Sequence, residues 1–371
     1  MDHSRRGCRA RRLSKALPEH RPVSLQSAAV ALLALVVSAG PARAQIYESV
    51  GIRAQGMGGA FVAVADDATA TWWNPAGIAT GAVFNSILQY GVSQDPRQDS
   101  RQDSRQPSDT GGVAPAWRSA TRGFAVAFPA LGLSYYHLRV SEIRPFGSIA
   151  GFGLGREDQG RAPVLLNTFV LQQFGATVGQ SLGDHLVLGS TLKLVRGAPA
   201  SANSDVAGAS LDRAAELSGK TQTHGDLDLG AMAVFGSVRF GVAVKNVTQP
   251  TFQSGTDGVT LQRQARLGVA ATSPAGRTAG PLTIAVDADL TRTPTATGDA
   301  RHAAAGLDLP LFRRMLSVRG GVAANTVGSA RPTGSGGVSL ALRSGLFVDA
   351  QATAGSDQAR RSWGVALRVT Y

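Results

Sequence analysis

From residue 83 onward the chain alternates apolar residues with polar or small ones at period two. In the last segment Trp363, Val365, Leu367, Val369 and Tyr371 alternate with Ser362, Gly364, Ala366, Arg368 and Thr370. Leu186, Leu188, Leu192 and Leu194 oppose Val187, Gly189, Thr191 and Lys193, and Val238, Phe240, Val242 and Val244 interleave with Arg239, Gly241, Ala243 and Lys245. Successive side chains of a strand point to opposite faces, so each run predicts a strand with one greasy face and one small or charged face. About fourteen such runs occur, near 83–92, 122–129, 131–143, 165–181, 185–197, 223–235, 237–247, 261–273, 281–291, 301–310, 314–326, 333–343, 345–354 and 361–371. Most reach the roughly 9–11 residues that cross a bilayer as a tilted strand. After Gln45 no stretch approaches the roughly 18 consecutive apolar residues of a spanning helix.

The connections add a second regularity. Long stretches around 93–121, 144–164, 198–222, 248–260 and 292–300 take turns with tight ones near Pro129-Ala130, Leu182-Gly183-Asp184, Gly236 and Ser344. Long loops at one end, short turns at the other and an even strand count predict an all-β fold, an antiparallel transmembrane β-barrel of about 14 strands with both termini at the short-turn end. A soluble β-sandwich also alternates, but fourteen long strands ending on an aromatic residue favour the barrel. The polar face carries Lys193, Arg239, Lys245, Arg266, Arg319, Arg343 and Arg368 with Asp226, Asp228, Asp287, Asp289 and Asp349. A charge facing lipid near the membrane midplane costs about 2–4 kcal/mol, so these side chains are expected to point into the lumen. Mutual pairing there is a simpler reading than catalysis.

The first 44 residues read as a targeting segment. Arg5, Arg6, Arg9, Arg11, Arg12, Lys15 and Arg21 precede an apolar stretch from Leu25 to Ala39, and Ala42-Arg43-Ala44 supplies a small-x-small cleavage pattern before Gln45. That is the order of a secretory signal peptide, with an apolar core too short to span a membrane. Residues 1–44 hold eight Lys or Arg against Asp2 and Glu19, about half of the chain's +12 formal charge. The basic balance is thus partly a targeting feature, and nucleic-acid binding loses its main support. Cys8, the single cysteine, lies inside the signal, so the exported part has no disulfide framework, thiol nucleophile or cysteine metal site.

Other candidate chemistry is thin. His137, His185, His224 and His302 lack metal-ligand spacing. Gly56-Met57-Gly58-Gly59 and Gly151-Phe152-Gly153-Leu154-Gly155 are glycine-rich, but neither sits in a strand-loop-helix unit with the Lys or acid of a phosphate loop. Asn246-Val247-Thr248 is a sequon by pattern alone, and no nucleophile-elbow pattern selects a serine. No cofactor or metal is implied, and the chain does not read as an enzyme. The Arg-Gln-Asp-Ser repeat at 95–106 has nothing to bury and predicts a solvated loop. Ser210 to Leu217 predicts a capped short helix able to fold over the barrel mouth.

Between the signal and the first strand lies the segment 45–82, too apolar for a tail and too glycine-broken for a strand. Asp66 or Asp67 is positioned to cap a short helix through Ala68 to Trp73, and Asn74 to cap a second turn with Pro75 at its first position. Gly56, Gly58 and Gly59 permit sharp bends and close backbone approach. Arg53-Ala54-Gln55-Gly56-Met57-Gly58-Gly59-Ala60-Phe61, Asp66-Asp67-Ala68 and Trp73-Asn74-Pro75-Ala76-Gly77 together resemble the N-terminal signature of the FadL/TodX superfamily of outer-membrane transporters. Asp226-Leu227-Asp228-Leu229-Gly230 and Val244-Lys245-Asn246-Val247 are similar to its PorV/PorQ branch. The resemblance implies a 14-stranded barrel plugged by an N-terminal hatch, with Gly56, Gly58, Gly59, Asp66, Asp67, Trp73, Asn74, Pro75, Ala76 and Gly77 in the plug. It implies a channel for small hydrophobic ligands of fatty-acid or hydrocarbon type. The PorV side implies instead a non-enzymatic scaffold that binds exported proteins. Leu131–Ile143, interrupted only by Gly132, lacks the family's kinked third strand, which argues against lateral exit through the wall. The final Tyr371 resembles the signal read by barrel-assembly machinery, and a monomer in outer-membrane lipid is expected.

Overall fold

The computed structural model describes residues 50–94, 116–145, 164–204, 209–254, 257–276, 279–295, 298–356 and 360–371. The expected signal peptide with Cys8, the Arg-Gln-Asp-Ser repeat and Gly151–Gly155 lie outside these residues.

Among the described residues eighteen strands follow a short helical region: β1 (Asn85–Gln94), β2 (Ala116–Phe128), β3 (Leu131–Pro145), β4 (Val164–Leu182), β5 (Leu186–Ser204), β6 (Gln222–Phe235), β7 (Val238–Lys245), β8 (Thr251–Ser254), β9 (Asp257–Thr260), β10 (Gln264–Thr272), β11 (Thr283–Asp289), β12 (Thr293–Thr295), β13 (Gly298–Ala300), β14 (His302–Leu311), β15 (Leu316–Asn325), β16 (Thr333–Arg343), β17 (Leu346–Gly355) and β18 (Ser362–Thr370). Fourteen of them close a barrel in the order β1-β18-β17-β16-β15-β14-β11-β10-β7-β6-β5-β4-β3-β2, while β8–β9 and β12–β13 are separate hairpins. All neighbours are antiparallel, and the seam joins first strand to last from Asn85↔Thr370 to Ser93↔Ser362. At that seam Tyr371 exchanges backbone hydrogen bonds with Phe84. No helix among the described residues is long and apolar enough to cross a membrane.

The alternation sorts the faces as expected. Leu88, Phe124, Leu133, Phe174, Leu192, Ile284, Val322, Leu340 and Leu367 are exposed on the outside, whereas Lys193, Asp226, Lys245, Arg266, Asp287, Arg319 and Asp349 are buried within. Strand ends extend beyond the apolar pattern. β2 begins six residues before the expected start, and β5 runs on to Ser204. A ladder continues on backbone hydrogen bonds after its outer face stops being apolar, so hydrophobicity marks the apolar band rather than the strand. The short turns at Gly183, Gly236 and Gly345 use positive φ, a conformation that glycine adopts without steric cost. Connection lengths are less regular than the pattern suggests. The 273–282 connection at the turn end is longer than 326–332 at the other.

Two expectations about position are corrected. The helix α3 (Leu211–Glu216) forms with Ser210 Oγ accepting from Arg213 N–H at 3.0 Å, but it does not cover the mouth. Leu211 and Ala214 pack on Ala116, Ile143, Val164 and Leu166, all at outward positions of β2, β3 and β4 by strand parity. Arg118, also outward, pairs with Asp212 at 2.6 Å. One apolar stripe on a two-turn helix needs an apolar wall, and the barrel's outside supplies it. Arg343 is likewise not a lumen charge. A bulge between Ala341 and Arg343 shifts the register, so Arg343 faces Leu346, an outward residue, at the exposed turn end.

Candidate functional site: the filled bore

The segment from Val50 to Gly81 lies within the bore, and nearly every residue from Val50 to Ile78 is buried. It holds α1 (Ile52–Gly56), α2 (Ala70–Trp73) and a 3-10 turn at Pro75–Thr80. Local chemistry sets these breaks. Gly58 and Gly59 take positive φ after α1, Asp67 Oδ1 accepts from Thr69 N–H ahead of α2, and Asn74 Oδ1 accepts from Ala76 N–H with Pro75 at the first position of the turn. Neither aspartate caps α2 as expected: its N-cap is Thr69, without a side-chain cap bond, Asp67 holds the Thr69 N–H ahead of the helix, and Asp66 is drawn to the Arg53 guanidinium. Burial works against ionisation of Asp66, but the adjoining Arg53 charge outweighs it and holds the carboxyl below its ordinary range.

The segment is bonded to the wall on nearly every side. On β1, Asn85 Oδ1 accepts from Ala68 N–H at 2.8 Å and Gln89 Oε1 from Gly51 N–H at 3.0 Å. Tyr136 on β3 lies 3.2 Å from Thr71 Oγ1, and Thr191 on β5 donates to Thr71 O at 3.3 Å. Asn74 Nδ2 donates to Val62 O at 2.9 Å and to Ala231 O of β6 at 3.2 Å. Asp287 on β11 accepts from the N–H groups of both Phe61 and Val62 at 2.8 Å. Ser335 on β16 donates to Gly56 O at 3.2 Å, and Gln351 on β17 to Gln55 Oε1 at 2.6 Å.

Charged pairs complete the lining. Lys193 Nζ lies 2.8 Å from Asp226, 2.7 Å from Asp228 and 2.9 Å from Asn246 Oδ1. Lys245 Nζ sits 3.1 Å from the centroid of the Trp72 ring. Arg266 reaches Asp289 at 2.6 Å and Gly59 O at 3.2 Å. A longer chain runs from Asp66 through Arg53 to Asp308 at 2.9 Å, then to Arg319 at 3.3 Å, Asp349 at 3.6 Å and Arg368 at 2.8 Å. Arg239 donates to Val64 O at 3.5 Å. Removing one partner from such a buried pair leaves an uncompensated charge and costs about 3–5 kcal/mol. Arg53–Asp308, Lys245–Trp72, Arg266–Gly59 and Arg239–Val64 join segment to wall, whereas the Lys193 cluster and the Arg319–Asp349–Arg368 pairs join strand to strand within the wall.

At the long-loop end the hairpin β8–β9 turns inward. Phe252 is fully buried against Phe169 and His224, with ring centroids at 5.6 and 5.0 Å. Phe252 and Leu261 share one continuous apolar cluster with Trp72, Trp73 and Phe61 of the segment.

A family model described as "F plasmid transfer operon, TraF, protein" matches residues 68–289, more than half of the chain. The chain belongs to this TraF family. The match begins at Ala68, inside the buried segment, and ends with β11. A search of curated proteins found no match. Among solved structures, this TraF-family barrel is similar to the Ralstonia pickettii toluene transporter TbuX, with 12% identity, 88% of this chain and 99% of that one covered, and a TM-score of 0.54. It is also similar to the Pseudomonas putida toluene transporter TodX (10% identity, 89% and 98% covered, TM-score 0.51) and to a Pseudomonas aeruginosa FadL homologue (11%, 90% and 98%, 0.51). At these identities the likeness concerns the fold, which is FadL-type.

All ten segment residues singled out by sequence lie in or beside the buried segment. Trp73 Nε1 donates to Val50 O at 3.0 Å, and Gly77 admits Ala65 O so closely that an added Cβ would sit 1.7 Å from it. What sequence reasoning missed is the glycine lining of the wall. An added Cβ would come within 2.3 Å of the segment at Gly189, Gly230, Gly306 and Gly321, and within 2.6 Å at Gly241. Four of these glycines pair across strands, Gly189↔Gly230 and Gly306↔Gly321, and Gly189 also faces Gly179. The signal existed, since each stands among the small residues opposite the greasy face, but their adjacency appears only in the register.

Proposed function

We propose that the chain is a non-enzymatic outer-membrane channel for small hydrophobic molecules of the fatty-acid or hydrocarbon type, gated by the segment Val50–Gly81. The observation that carries this reading is a FadL-type barrel whose bore is occupied by one segment of its own chain, bonded to the wall on nearly every side. The similar solved structures titled toluene transporters support the ligand class. The expected signal at 1–44 supports export, Tyr371 at the seam suits recognition by assembly machinery, and one chain closes its own barrel, as a monomer requires. The route runs along the bore, because β3 pairs without a register shift with β2 from Leu131 to Ile143 and with β4 from Leu131 to Pro145. Cells expressing the protein should accumulate labelled fatty acid or toluene faster than empty-vector cells, and the double change Asn74→Ala, Pro75→Ala should alter that rate. Accumulation no faster than in empty-vector cells overturns the channel reading.

The TraF family description, which names a plasmid transfer operon, favours a second reading: a PorV-like scaffold that binds exported proteins. Capture from mild-detergent membranes separates the two. Stoichiometric co-purification of exported proteins supports the scaffold, and a barrel recovered alone supports the channel.

A further inference from the structure

Outward-facing charge is unevenly distributed over this barrel. Among the described residues of the barrel strands, the outward positions carry Arg118, Arg122, His137, Arg139 and Arg196 from mid-strand towards the long-loop end, Arg343 at the turn end, and no carboxylate. The long-loop group is confined to β2, β3 and β5. Arg118 is neutralised by Asp212 of α3 at 2.6 Å. Arg122, Arg139 and Arg196 have no ion-pair or hydrogen-bond partner among the described residues, and His137 Nδ1 is buried without one. The register gathers them: Arg122 faces His137, His137 faces Gln172 and Gln172 faces Arg196, while Arg139 stands two residues from His137. One row towards the turns, the outward positions read Phe124, Tyr135, Phe174 and Leu194, with Tyr135 and Phe174 centroids 4.6 Å apart.

Aromatic residues mark where hydrocarbon gives way to headgroups, and a cation there costs far less than at the midplane. Unpaired cations directly above an aromatic row match a molecule with acyl chains below and negative charge above. From β2 to β5 the patch spans three strand spacings, about 14 Å, too wide for one phosphate.

We propose that Arg122, His137, Arg139 and Arg196 bind the headgroup of a membrane lipid bearing more than one phosphate, with its acyl chains along Phe124, Tyr135 and Phe174. The proposal rests on the membrane reading above. The test uses the full chain in detergent micelles and native mass spectrometry with diphosphoryl lipid A, monophosphoryl lipid A and inorganic phosphate. Wild type should hold the diphosphoryl lipid most tightly and inorganic phosphate not at all. Arg122→Gln, Arg139→Gln and Arg196→Gln should each weaken binding about fivefold, and Arg343→Gln should leave it unchanged. Unchanged affinity in the triple variant, or equal retention of inorganic phosphate, overturns the proposal. Heat-modifiable gel mobility reports folding of each variant, and the single variants carry the test if the triple one does not fold. Flotation of wild type with lipid vesicles tests the membrane reading separately: a barrel that floats but shows no arginine dependence sinks this proposal alone.

Discussion

A missing side chain can be as structural as a present one. At Gly230 a Cβ would stand 2.1 Å from Asn74 Oδ1, whereas at Gly225, on the same strand but the opposite face, it would meet nothing within 4 Å. Gly230→Ala should therefore destabilise the folded barrel by about 1–3 kcal/mol through overpacking, read as a lower temperature at which the folded gel band disappears. Gly225→Ala should show no such loss, and equal effects at both positions would refute the close-packing account. The residue scale also shows where sequence reading stops. The capping of Asn74 and Pro75 was legible because it is local, whereas Asn74's second bond, to Ala231 O, spans 157 residues and leaves no trace in spacing. Arg343 was misplaced for the same reason, since a bulge flips parity without altering the alternation that predicts it.

At the scale of elements, two pieces are buried inside the barrel, the segment and the Phe252 hairpin. The two share an apolar cluster, yet they enter from opposite ends of the barrel. Deleting residues 50–80 should turn a barrel without resolvable openings in planar bilayers into one with stable openings, and Phe252→Ala alone should do less. A deletion variant that still blocks current would show that the segment is not the obstruction. The fourteen barrel strands were legible because each carries an apolar residue at nearly every second position, whereas the hairpins β8–β9 and β12–β13 fall in stretches read as loops. Strand ends were not, because beyond the apolar band the ladder needs only its backbone. The inward course of β8–β9 and the outward packing of α3 were equally hidden, since a loop's sequence gives its local conformation and not the wall it lands on.

For the whole molecule, strand number, antiparallel order and the polar interior followed from period two and alternating connections. The TraF membership did not, because it resides in sequence statistics across many chains rather than in the physics of one. The seam carries a further consequence. Asn85 accepts from Ala68 N–H of the segment through Oδ1 and donates to Thr370 of β18 at 2.6 Å through Nδ2. Asn85→Ala should lower the unfolding temperature and raise conductance together, whereas Thr370→Ala should affect stability with little change in current. If Asn85→Ala changes only one of the two properties, seam and segment are independent. One amide thus inspects both events of maturation. A ring that shuts around an unseated segment leaves one face of that amide without its partner where first strand meets last, so loading of the bore and closure of the ring meet at a single side chain.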